Sequence, residues 1–196
     1  MTGELPGPSP ADRPQPAGRR NELGVKIDPE VEARHEPERT VLAAWVEHHP
    51  GVLSEVSGLF SRRQFNIDSL TVGPTNVDGE AHITLVITEP RPGVEQARKQ
   101  LEKLVPVIEV TELDEGSVER ELALIKVDGD RPEQVNAIAD MYRGEVVDVA
   151  PESLTVEVTG PEEKIDAAIS SFERFGVREV VRTGTAAMAR GSEDNQ

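Results

Sequence analysis

The chain has 196 residues, enough for two small domains, and it contains no cysteine, which excludes disulfide scaffolds, cysteine nucleophiles and thiolate metal sites. Its 37 acidic and 21 basic residues give a net charge of −16, which disfavours binding to nucleic acid or to anionic membranes. No apolar run is long enough to span a membrane and no secretory signal pattern is present, so we expect a soluble, cytoplasmic protein.

The charge composition is typical of a protein that works in high salt. Only five of the 21 basic residues are lysines, and the others are arginines. At molar ionic strength the Debye length is about 3 Å, so a strongly acidic protein repels itself little there. We therefore expect a halophilic protein, and the alternative is an ordinary acidic cytosolic protein.

The first 38 residues are predicted to be a disordered tail. They hold seven of the 15 prolines and no aromatic residue, and neither a helical nor a strand period runs through them. Eight acidic residues against five basic ones argue against a transit peptide.

Residues 39–114 are predicted to form one α+β domain. Two amphipathic helical patterns alternate with β-branched runs, and the turn His48-His49-Pro50-Gly51 precedes the first helix. The predicted elements are a strand at 40–47, a helix at 52–63, strands at 66–72 and 82–87, a helix at 92–105 and a strand at 107–113.

The same order recurs in residues 118–184. The predicted elements are a strand at 122–127, a helix at 132–142, strands at 145–149 and 154–158, a helix at 165–172 and a strand at 177–182. The two units begin about 80 residues apart, which predicts two tandem ferredoxin-like βαββαβ domains, each a four-stranded antiparallel sheet with two helices on one face. Residues 185–196 are predicted to be a flexible tail. Because the other face of each sheet is left open, we expect subunits to pair.

Catalytic motifs are absent from the sequence. There is no phosphate-binding loop, no G-x-S-x-G, no H-E-x-x-H and no G-x-G-x-x-G. The four histidines, His35, His48, His49 and His82, are badly spaced for a metal site, and we expect no catalytic residue and no metal. The many carboxylates are interpreted as a solvated acidic surface.

One turn has the chemistry of a small-molecule site. Pro50-Gly51 opens a helix whose free N–H groups and positive dipole end suit a carboxylate, and Gly51 has no side chain to hinder its approach. A small amino acid would fit there. The alternative is a plain strand-to-helix turn with proline near the first helical position.

Three segments carry a family resemblance. The stretch VEHHPGVLSEVSGLFSRRQFNIDSLTVGPT at 46–75 resembles the amino-terminal ACT domain of the acetolactate synthase small, regulatory subunit. The stretches VERELALIKV at 118–127 and YRGEVVDVAPESLTVEVTG at 142–160 resemble the second domain of that family. The resemblance covers about residues 39–190.

The resemblance implies a non-catalytic subunit of acetolactate synthase. Such a subunit activates a large catalytic subunit that carries thiamine diphosphate, Mg and FAD, and it confers feedback inhibition by valine in branched-chain amino acid biosynthesis. Within the family the effector lies where the ACT domains of a homodimer meet. The resemblance implies that one chain supplies His48, Pro50, Gly51, Val52 and Leu53, and the other supplies Asn66 and Ile67.

One position departs from the family pattern. The residue after Glu47 is commonly asparagine, whereas this chain has His48. An imidazole can donate or accept a hydrogen bond and can become charged, which bears on effector preference. The alternative function is a free-standing amino-acid-binding ACT protein that regulates another biosynthetic enzyme. An RNA-binding ferredoxin-like domain is disfavoured because the chain has few aromatic residues and no basic surface.

Overall fold

A computed structural model describes residues 36–191. The tail predicted over residues 1–38 therefore lies outside the described residues, apart from its last three. Glu38 already belongs to the first strand.

The first domain has the predicted βαββαβ order. Its elements are β1 (Glu38–Glu47), α1 (Val52–Arg63), β2 (Ser69–Pro74), β3 (Glu80–Glu89), α2 (Arg91–Leu101) and β4 (Val107–Leu113). The strands form an antiparallel sheet in the order β2-β3-β1-β4. This is the ferredoxin-like topology that the sequence pattern predicts.

The second domain repeats this arrangement. Its elements are β5 (Val118–Asp128), α3 (Pro132–Met141), β6 (Glu145–Ala150), β7 (Ser153–Gly160), α4 (Glu162–Phe172), a 3₁₀ turn (Glu173–Phe175) and β8 (Val177–Arg182). The sheet order is β6-β7-β5-β8, and a ninth strand, β9 (Ala186–Met188), pairs with the start of β5. The predicted α+β class and the tandem ferredoxin-like fold are confirmed.

Each domain has its own core between sheet and helices. In the first, alternate residues of β1 such as Leu42 and Val46 face the helical stripe of Val56, Leu59 and Phe60, and all are buried. Strand alternation and the helical period thus direct apolar groups to one layer. In the second domain, alternate apolar residues of β5 and β7 pack against α3 and α4.

The carboxyl-terminal residues differ from the prediction of a flexible tail over 185–196. Residues 183–188, called here the strap, run from β8 across the face of the first sheet that its helices leave open. Ala187 is buried in a small cluster with Val41 and Val86, and Leu113 packs against that cluster. Small residues allow the strap to lie this close to the sheet.

Hydroxyl groups of the first sheet form hydrogen bonds with the backbone of the strap. The Thr71 hydroxyl donates to the Thr185 carbonyl oxygen (2.7 Å), and the Thr185 N–H donates to Ser69 Oγ (2.8 Å). The Ala187 N–H donates to Thr84 Oγ1 (3.3 Å). Because buried backbone groups need partners, these bonds fix the strap on the sheet. Part of the face that we expected a second subunit to cover is therefore covered by the chain itself.

Ion pairs add to the contact between the two domains. Arg39 of β1 donates to Glu119 (2.7 Å) and to Glu162 (3.0 Å) of the second domain.

In residues 36–191 no helix is long and apolar enough to cross a membrane. The same residues contain no group of three or more His, Asp or Glu side chains placed to hold a metal ion.

Candidate functional site

The turn between β1 and α1 has the geometry of an anion site. The His48 N–H donates to the Gly79 carbonyl oxygen (2.7 Å), which ties the turn to the loop before β3. Gly51 caps the helix in the left-handed region, with φ of 101°. Only glycine adopts this conformation without strain, so the sequence Pro50-Gly51 sets where the helix begins.

Two N–H groups at the start of α1 are available to a ligand. The first helical bond runs from the Glu55 N–H to the Gly51 carbonyl oxygen (3.0 Å). The N–H groups of Leu53 and Ser54 have no acceptor among residues 36–191. Orphan donors at the positive end of a helix dipole favour a carboxylate.

A cavity of about 150 Å³ adjoins this turn. Its apolar wall combines Val52 and Leu53 of α1 with Val72, Ala81 and Ile83 of β2 and β3. Leu53 and Val72 remain about half exposed, so the cavity is open on that side. Polar groups at its edge are Glu47, His48 and His49. The free N–H groups of the helix, the Glu47 carboxylate and the apolar wall therefore surround one small space.

Gly51 and His48 face open space. A Cβ built at Gly51 would meet no atom within 4 Å. The His48 imidazole has no hydrogen-bond partner within the described part of the chain, so both ring nitrogens are free to contact a ligand. By contrast, His49 Nδ1 lies 3.1 Å from the Pro50 carbonyl oxygen. Of the predicted residues, His48, Gly51, Val52 and Leu53 line the cavity, and Pro50 shapes the turn.

Asn66 and Ile67 do not line this cavity in a single chain. They lie in the loop before β2, which begins at Ser69 rather than at the predicted residue 66. Gln64 ends α1 in the left-handed region, and the Asp68 N–H is the first to bond to β3, at the Val86 carbonyl oxygen (2.9 Å). The Asn66 amide is exposed and donates to Asp68 (2.7 Å). One chain alone does not join the two predicted halves of the site.

The strand residues that line the cavity are not evident from the sequence pattern. Val72 pairs with Ile83 in the register of β2 and β3, so both reach the turn from across the sheet. The alternation of these strands was visible in the sequence, and the register was not.

Two family models match the chain. A model described as the AHAS (acetohydroxyacid synthase, another name for acetolactate synthase) small subunit-like ACT domain matches residues 42–109. A model described as the small subunit of acetolactate synthase matches residues 120–191. Together they cover both ferredoxin-like domains.

Curated proteins and a solved structure agree with these matches. The acetolactate synthase small subunit of Mycobacterium bovis is 45% identical over 159 residues, covering 79% of this chain and 94% of the relative. The Bacillus subtilis acetolactate synthase small subunit is 42% identical over 159 residues, covering 79% of this chain and 92% of the relative. The crystal structure of the Thermotoga maritima small subunit aligns with a TM-score of 0.75 and 36% identity, covering 80% of this chain and 99% of that one. The chain belongs to the acetolactate synthase small-subunit family.

Proposed function

We propose that this protein is the non-catalytic, regulatory subunit of an acetolactate synthase. It activates a separate large catalytic subunit, which carries the thiamine diphosphate, Mg and FAD, and it makes that enzyme sensitive to valine. The observation that carries the proposal is the turn cavity of a small-subunit ACT domain, which combines free helix N–H groups with an apolar wall.

Valine matches the chemistry of this cavity group by group. Its carboxylate accepts from the N–H groups of Leu53 and Ser54, where the helix dipole favours negative charge. Its ammonium group faces the Glu47 carboxylate, and its isopropyl group packs against Val72. The small volume of about 150 Å³ favours a short aliphatic side chain.

A homodimer completes the proposed site. The cavity is open beside Leu53 and Val72, while Asn66 and Ile67 of the same chain lie outside it. We propose that the partner's loop closes the cavity with those two residues. A ligand that contacts both chains favours the subunit arrangement in which the two halves meet, and this preference couples valine binding to catalysis.

His48 adjusts the effector preference in this proposal. Because its imidazole is free and exposed at the cavity edge, it can accept from the valine ammonium when neutral.

Reconstitution from purified subunits tests the function. We expect no acetolactate from pyruvate with this chain alone, and a several-fold higher rate when it is added to the catalytic subunit with thiamine diphosphate, Mg²⁺ and FAD. Valine should then lower the rate of the complex towards that of the catalytic subunit alone. Turnover by this chain alone, or no change in the rate of its partner, would contradict the proposal.

We also propose that the acidic surface is an adaptation to high salt. With a net charge of −16, repulsion acts over about 10 Å at 0.1 M salt and only about 3 Å at 1 M. The midpoint of thermal unfolding and the sedimentation coefficient should therefore both rise between these concentrations. If neither changes with salt, the acidic surface has no such role.

A further inference from the structure

A second cavity, of about 400 Å³, lies where the strap crosses the first sheet. One wall is formed by Trp45 of β1 and His82 of β3, and the other by Val118 and Arg120 of β5 and by Ala187 and Met188 of β9. It shares no lining residue with the turn cavity. Cavities at the junction of two domains are common ligand sites, and this one is within their usual size range.

The sheet side of the cavity is a packed aromatic pair. Trp45 and His82 are directly opposite in the register of β1 and β3. Their ring centroids are 4.9 Å apart in an edge-to-face arrangement. Burial lowers the pKa of His82 and so favours the uncharged ring on this wall.

The strap side leaves apolar surface uncovered. The Met188 side chain is 65% exposed, although it belongs to a strand that is paired with β5. A flexible thioether beside an aromatic wall adapts well to an apolar ligand. The cavity is therefore a mainly apolar space, bounded on one side by an exposed thioether.

One charged side chain, the cation Arg120, lines the cavity, and Glu109 of β4 lies opposite Trp45 in the register of β1 and β4. None of its lining residues is acidic. Arg120 lines it and forms no ion pair with any of residues 36–191, and one of its N–H groups donates to the Glu119 carbonyl oxygen (2.7 Å). Other arginines close to the domain junction, Arg39 and Arg182, are each paired with two carboxylates. An unpaired guanidinium beside an apolar space suits a carboxylate.

We propose that this interdomain cavity is a second small-molecule site, which binds a short aliphatic monocarboxylate. The apolar part of the ligand lies between Trp45 and Met188, and its carboxylate pairs with Arg120. Because the ligand contacts the sheet of one domain and the strap of the other, its binding holds the two domains together. The site is separate from the proposed valine site and does not rest on it.

Trp45 provides a direct probe because it is the only tryptophan of the chain. The full-length protein is titrated with isocaproate and, as a control of the same shape without charge, with isocaproamide, and tryptophan fluorescence is recorded. We expect a saturable change for isocaproate and at least about tenfold weaker binding of the amide, because a charge-assisted pair is lost. Arg120→Gln should lower the affinity for isocaproate to the affinity for isocaproamide. The control is Arg143→Gln, which replaces an exposed arginine elsewhere in the second domain. It should leave the affinity for isocaproate unchanged.

Two further measurements locate the ligand. Isocaproate should slow the oxidation of Met188 by peroxide, measured by mass spectrometry, while the exposed Met141 of the second domain serves as the internal control. The fluorescence response should persist in Gly51→Asp, whose turn cavity is altered. Equal affinity for acid and amide, equal protection of both methionines, or loss of the response in Gly51→Asp would each overturn the proposal. So would a response that accompanies only self-association, seen by sedimentation.

Discussion

Gly51→Asp is expected to abolish inhibition by valine while the variant still stimulates the catalytic subunit. The new carboxylate would stand beside the N–H groups that receive the carboxylate of valine. Two like charges about 4 Å apart repel by about 1 kcal/mol in water and by about 4 kcal/mol at an effective dielectric constant near 20, so valine affinity should fall between about fivefold and about a thousandfold. The measurement is the valine concentration that gives half-maximal inhibition of the reconstituted enzyme.

The fold should tolerate this substitution. No atom lies within 4 Å of a Cβ at Gly51, so the cost is that of the left-handed conformation, about 1 to 2 kcal/mol, offset by an acidic cap at the helix start. Gly51→Asn carries the same backbone cost without the charge, and it should lose much less valine sensitivity. If the aspartate variant folds, stimulates and is inhibited like the wild type, the site is not at this turn.

Arg182→Met should lower the free energy of unfolding by about 3 kcal/mol. Glu121 of β5 is only 4% exposed, and it accepts hydrogen bonds from Arg182 Nε (2.8 Å) and Nη2 (2.7 Å). The same guanidinium donates to Asp166 (2.8 Å). Removal of the arginine leaves the Glu121 carboxylate buried without its partner. An unpaired buried charge destabilises the fold more than replacement of both partners by apolar groups would. Urea unfolding at fixed salt measures the loss.

A surface pair in the same domain is the matched control. Arg178 pairs with Asp128, and both side chains are more than 40% exposed. Arg178→Met should therefore cost less than about 1 kcal/mol. Adding Glu121→Gln to Arg182→Met should recover part of the lost stability, because an amide carries no charge. Similar losses in the two single variants would show that burial of Glu121 does not matter.

The tandem fold could be predicted because its signals are local and repeated. Every helix carries an apolar stripe at helical spacing, as Val52, Val56 and Leu59 do in α1. The central strands of the second sheet alternate strongly, as Ala123, Ile125 and Val127 do in β5. Both periods are readable in the sequence where a helix or strand buries only one side, as these do.

The strap could not be predicted from the same signals. Three residues, Ala186–Met188, are too few to show a period, and the two alanines are equally typical of a flexible tail. Their pairing partner is the start of β5, far away in the chain. Such long-range pairing depends on the assembled sheets, which local patterns do not contain.

The turn of the candidate site was predictable for a simpler reason. Pro50-Gly51 before an apolar stripe marks a helix start, and free N–H groups follow from any helix start. The apolar wall was not predictable, because Val72 and Ala81 reach the turn only through the register of β2 and β3. The sequence pattern starts β2 three residues too early because Ile67 is β-branched and packs on the core as strand residues do.

The sharing of one valine site between two chains is tested most directly by a mixed dimer. One chain carries Gly51→Asp and the other Asn66→Ala, each with a different tag so that the mixed dimer can be purified. Each variant alone should bind valine weakly, because both of its sites are damaged.

In the mixed dimer both substitutions fall in one of the two sites, and the other site keeps an unaltered Gly51 and an unaltered Asn66. Calorimetric titration should then show one valine per dimer with wild-type affinity. If Gly51 and Asn66 of the same chain served one site, every site of the mixed dimer would be damaged, and no valine would bind with that affinity. The second result would contradict the shared site.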